Sequence, residues 1–146
     1  MNGPDLEVST VAQVIQLSVA PVFLLSGVGI ILTVLTNRLA RVIERARGLE
    51  ESASAAEQPV RQREIQVLAR RARLMNRAIT LSTVCALLVS LVVVALFVDA
   101  FVDLDLSSPI ALMFVVAMFS LIVALLCFLR EVFLAIGALR IGIKKK

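Results

Sequence analysis

The chain has 146 residues and a mass of 15.8 kDa, with 60% hydrophobic residues, 18% charged residues and a formal net charge of +4. Its mean hydropathy of +0.97 is gathered into three charge-free runs, residues 8–37, 78–98 and 110–129, which hold 30, 21 and 20 residues. About 20 apolar residues cross a bilayer, so a soluble globular domain is excluded; with no His, Trp or Tyr, an ordinary active site is nearly excluded too.

In chain order, residues 1–17 read as an outside N-terminal segment. Asp5 and Glu7 stand where a signal peptide carries positive charge, so the first apolar run is expected to be retained. Gln13 and Gln16, set against Val11, Val14 and Ile15, suit an amphipathic helix lying in the outer interface. Pro21 is placed to begin or kink the spanning helix. Residues 18–37 then cross once, at about 1.5 Å per residue.

Residues 38–77 hold ten arginines; the other basic residues are Arg130, Arg140, Lys144, Lys145 and Lys146. Segments rich in Lys and Arg stay cytoplasmic. Residues 38–77 and the C-terminus are therefore expected inside, and the N-terminus outside. Leu35, Leu39, Val42, Ala46 and Leu49 form one heptad-like seam, and Ile65, Leu68, Ala72, Met75 and Ile79 form another. Residues 50–58 are polar and rich in Ala and Ser, and Pro59 follows as a helix-start signal. The segment is expected to fold as a cytoplasmic helical hairpin, with its arms continuing spans one and two. Each seam is barely two heptads, so the hairpin should need other helices to hold it.

Span two covers residues 78–98. Residues 99–109 form an outside acidic loop with Asp99, Asp103 and Asp105, closed by Pro109. Span three covers residues 110–130, and residues 131–146 supply a cytoplasmic helix extension and a basic tail. The apolar stretch 132–139 is too short to cross again. The expected fold class is all-α: an integral membrane protein with three transmembrane helices and that hairpin.

Candidate chemistry is sparse. Cys85 and Cys127 lack the convergent partners a metal site needs, and both read as small packing residues. Ala117, Ser120, Ala124, Cys127 and Glu131 share a face of span three. Ser26, Gly29, Thr33 and Thr36 do the same on span one. Strips of small residues let membrane helices approach closely; the alternative is that one strip lines a narrow polar path with Glu131 at its inner mouth.

Glu131 is the one acidic residue flanking a span near the C-terminus, with Asn37, Arg38, Asn76, Arg77 and Arg130 expected at its depth. It suits either a Glu–Arg pair that fixes packing or an ion-handling group. Arg38, Arg41, Arg77 and Arg130 are candidates for lipid headgroup binding. The outside acids form either a solvated loop or a cation-attracting ring. The arginine segment has no aromatics, which argues against nucleic acid as a partner. No catalytic motif, phosphate loop or cofactor signature is present, and no enzymatic role is expected.

The runs APVFLLSGVGIILTVLTNRLARVIERAR (20–47), RRARLMNRAITL (70–81) and FLREVFLA (128–135) resemble a bacterial domain-of-unknown-function family of small three-span membrane proteins. TNRLAR and RRARLMNRA are the most specific parts. The resemblance implies a bacterial cytoplasmic membrane protein with a helical cytoplasmic hairpin, and it implies no activity. The leading functional expectation is a homo-oligomer, with a collar of hairpins around an ion-conducting pore. The alternative is a non-conducting scaffold or regulatory subunit that recruits a cytoplasmic protein partner, with membrane lipids as the other partners. An enzyme acting on lipid ranks behind both.

Overall fold

The structure, a computed structural model, describes residues 4–51, 58–102 and 106–143. Three helices account for nearly all of them: α1 (Pro4–Glu51, 48 residues), α2 (Gln58–Val102, 45 residues) and α3 (Ser107–Ile143, 37 residues). At 1.5 Å per residue these are about 72, 68 and 56 Å long, well beyond the ~30 Å hydrocarbon core of a bilayer. The protein is all-α among the described residues. Residues 52–57 of the expected linker, Asp103, Asp105, and Lys144 to Lys146 lie outside the described residues, as do the side chains of Asp5, Glu7 and Arg140.

All three helices are long and apolar enough to cross a membrane. Their most apolar windows are only 17%, 22% and 22% buried by the protein itself. The apolar surface is turned outward: Phe23 and Phe101 are 73% exposed, and Ile30, Leu112, Phe119 and Phe133 are also exposed. A water-soluble monomer rarely exposes contiguous apolar patches above a few hundred Å², whereas lipid tails solvate such a surface.

α1 runs without interruption through the segment expected as a separate interfacial helix and through Pro21. Proline removes one backbone donor from a helix interior; Pro21 itself is buried. Hydroxyls inside the apolar stretches bond to their own helix backbone. Ser18 donates to the Ile15 carbonyl at 2.9 Å, Thr36 to Leu32 at 2.9 Å and Ser90 to Ala86 at 2.9 Å. Such back-bonds satisfy polar groups where no water can.

The inward faces follow one period. On α1, Val14, Ser18, Pro21, Val28, Leu35 and Val42 are buried, and Leu25, Leu32, Leu39, Ala46 and Leu49 are partly so. That is an unbroken alternation of three and four residues from 14 to 49. α3 repeats the pattern with Ala117, Ser120, Ala124 and Glu131 buried and Cys127 partly buried. A repeat of 3.5 residues keeps a seam facing its partners along a long helix.

The chain divides into two compact units. The first comprises Met1–Ile31 and Ser82–Leu121, and the second Leu32–Leu81 and Ile122–Lys146. The first unit buries Val14, Ser18, Val28, Ser82, Cys85, Val89, Val92, Ala117, Ser120 and Leu121. These are mainly small or β-branched residues. Small side chains at such interfaces let backbones approach and gain dispersion contacts, the main attraction left when the solvent is itself apolar. At one end of this unit, an Asp99 Oδ1 atom accepts the Leu106 N–H at 3.0 Å. The Leu106 carbonyl in turn accepts the Ile110 N–H at 3.0 Å, opening α3.

The second unit has an apolar core of its own. Val42, Leu68 and Met75 cluster, with Leu39, Ala46, Leu49 and Ala72 packed against them. Both heptad-like seams therefore meet there. Past Met75 the buried face of α2 proceeds through Ala78, while Ile79 is only half-buried. α3 continues beyond Arg130 to Ile143, and the 132–139 stretch is part of it.

Candidate functional site

Glu131 is completely buried. Its position follows from the α3 stripe, in which it occupies the slot after Ala124 and Cys127. A buried carboxylate without a partner costs several kcal/mol in a low-dielectric interior. Two guanidinium groups from different helices meet it. Arg71 on α2 donates from Nε and Nη2 to the same oxygen, Oε1, at 3.0 and 2.8 Å. Arg38 on α1 brings Nη2 to 3.0 Å from Oε2. That approach is close enough for an ion pair but too oblique for a hydrogen bond, which leaves Oε2 without one. The Arg38 guanidinium also lies over the Phe128 ring, 5.3 Å from its centroid, where the ring's negative face attracts it. Each of the three helices thus contributes one charge to a clamp.

Arg38 is among the depth neighbours expected for Glu131; Arg71 is not. The signal for Arg71 lies in the register of α2. Its buried residues are Leu68, Met75, Ala78, Ser82, Cys85, Val89 and Val92. Spaced by threes and fours, they leave one slot between Leu68 and Met75, and Arg71 fills it. The seam through Ala72 and Ile79 masks this slot, because an arginine reads as surface until a carboxylate is known to face it.

Next to the clamp is a cleft of about 320 Å³ lined by Arg38, Arg41, Val42, Arg45, Leu68 and Arg71. Arg38, Arg41 and Arg45 share one face of α1 at spacings of three and four. Arg45 is held by Glu64, with Nη2 2.7 Å and Nε 3.2 Å from Oε1. Arg41 is exposed and pairs with no carboxylate among the described residues. Arg77 and Arg130, expected to share headgroup contacts with Arg38 and Arg41, are exposed and do not line the cleft.

The remaining candidates separate into two faces. Ala117, Ser120 and Ala124 are buried within the chain's own structure. Ser26, Gly29, Thr33 and Thr36 are exposed, and a Cβ at Gly29 would meet nothing within 4 Å. Ser26 donates to the Val22 carbonyl at 3.4 Å. Cys85 is buried and Cys127 half-buried, both as free thiols. No group of residues able to hold a metal occurs among the described residues.

Three long apolar helices with an outward apolar surface define a helical protein of the multi-pass membrane type. Residues 18–141 match the family described as proteins of unknown function (DUF2721), and the chain belongs to that family. No curated protein and no solved structure matches it.

Proposed function

We propose that this chain is a non-enzymatic, homo-oligomeric protein of the bacterial inner membrane, with its N-terminus outside and its C-terminus in the cytoplasm. It acts as a scaffold or regulatory subunit whose arginine-rich helical hairpins form a cytoplasmic collar for a protein partner. The orientation rests on the distribution of basic residues. The observation that carries the scaffold reading is Glu131: its carboxylate is buried between Arg38 and Arg71, which makes it a fastening rather than an open cation ligand. The Ser26, Gly29 and Thr33 strip supports assembly, since small residues exposed at membrane depth favour helix contact with a second copy.

The exposed hydroxyls of that strip favour a second reading, in which it lines the axis of a ring and conducts ions. Native mass spectrometry in lipid nanodiscs tests the assembly. A closed oligomer that dissociates with Gly29→Leu supports it, because the monomer has room for the new side chain. A wild-type monomer would sink it. Ion flux in liposomes separates the two readings: a voltage-driven current removed by Thr33→Leu favours the pore, and no current from an intact oligomer favours the scaffold.

A further inference from the structure

We infer that the cleft between α1 and α2 in the second unit is a binding site for a phosphate group, with Arg41 as its free anion ligand. Four guanidinium groups line it, and among the described residues two carboxylates, Glu131 and Glu64, engage them. The cleft therefore keeps two positive charges, matching a phosphate monoester. The carboxylates do more than neutralise. Glu131 holds Arg71 through Nε and Nη2, leaving its other terminal nitrogen for a ligand, and Phe128 fixes the plane of Arg38. Glu64 holds Arg45. Three of the four donors are thus oriented before a ligand arrives, which lowers the ordering cost of binding.

Arginine suits phosphate better than lysine does, because its planar donor fork matches phosphate oxygens and it stays charged at any physiological pH. Val42 and Leu68 give the cleft an apolar floor that limits competing hydration. A volume of about 320 Å³ accommodates a phosphate with a small substituent and falls at the lower end of small-molecule sites.

The phosphate could belong to a lipid headgroup or to a soluble anion. The lipid source rests on the cytoplasmic placement of the hairpin proposed above, and the soluble source does not. Binding is measured on the full-length protein at constant ionic strength. One arm titrates inorganic phosphate against detergent-solubilised protein by calorimetry. The other compares lipid retention by native mass spectrometry from nanodiscs of phosphatidylcholine with and without phosphatidic acid. Arg41→Gln removes one charged donor at an exposed position without breaking an ion pair among the described residues, and it should weaken binding about tenfold. Arg41→Gln with Arg45→Gln should weaken it further. Arg77→Gln with Arg130→Gln removes two charges elsewhere and should change it less than about twofold.

Phosphate binding that follows this order supports the site with a soluble ligand. Retention of phosphatidic acid alone, in the same order, supports it with a lipid ligand. Equal losses in both double variants would reduce the effect to net charge and overturn the site, as would no binding in either arm. An orientation assay by cysteine labelling in vesicles separates failure of the cytoplasmic placement from failure of the cleft.

Discussion

The two compact units use the same heptad-like period to bury different chemistry. In the first, the buried side chains are Val, Ala, Ser, Cys, Leu and Pro, and no ion pair occurs among its described residues. In the second, Leu35, Val42, Leu68 and Met75 supply bulk, and the α3 stripe carries Glu131 with two arginines against it. The period decides which residues face inward; the surroundings decide what an inward residue must be. Where lipid is the solvent, small residues gain by close backbone approach. In the second unit an apolar core and charge pairing occur together.

The sharpest way to break this contrast is Arg71→Ala. It strands the buried Glu131 carboxylate with one oblique partner, and removing one member of a buried pair costs about 3–5 kcal/mol. The lower end is expected because the Arg71 side chain is 20% exposed. Thermal unfolding in detergent should show the loss. Glu131→Leu combined with Arg71→Met should restore most of it, since an apolar replacement of similar volume often matches a buried pair. A double variant no more stable than Arg71→Ala would mean that the clamp itself, not the stranded charge, holds this unit.

Ala117→Leu probes the other unit. Ala117 is fully buried, so added volume should force helices apart at a cost of about 1–3 kcal/mol, read in the same unfolding experiment. An unchanged midpoint would contradict close packing there. Asp99→Ala removes the acceptor for the Leu106 N–H and should cost about 1 kcal/mol. Faster amide exchange at the start of α3 would locate the loss, and Asp99→Asn, which keeps an acceptor, should lose less. Ser82→Ala is the smallest change. The Ser82 hydroxyl is buried without a hydrogen-bond partner, so its removal should leave stability unchanged or raise it by up to about 1 kcal/mol. A clear destabilisation would reveal a bond the hydroxyl makes in the membrane.

Much of the helical framework is legible in the sequence. The charge-free runs mark three helices able to cross a membrane. The two predicted seams enter the core around Val42, Leu68 and Met75. Those readings succeed because burial in a long helix repeats every three or four residues, and a repeat accumulates signal along the chain. Single positions carry no such redundancy. Arg71 sits in a gap of the α2 stripe, and Arg45 and Glu64 lie on different helices with no sequence pattern joining them. Asp99 reads as one more acid in an outside loop, although its carboxylate accepts the N–H of Leu106, the residue before α3.

The sequence by itself determined the helical class, the places where the chain is apolar enough to cross a bilayer, and the family to which residues 18–141 belong. Those properties follow from local composition and periodicity, which need no knowledge of neighbours. Only the tertiary structure decided that the 117–131 stripe is buried while the Ser26 to Thr36 strip is exposed, and that Arg38, Arg41, Arg45 and Arg71 gather around one cleft. A charge becomes a ligand, a clamp or a solvated surface group according to what lies within a few ångströms of it. That distance is set by how residues tens of positions apart pack together.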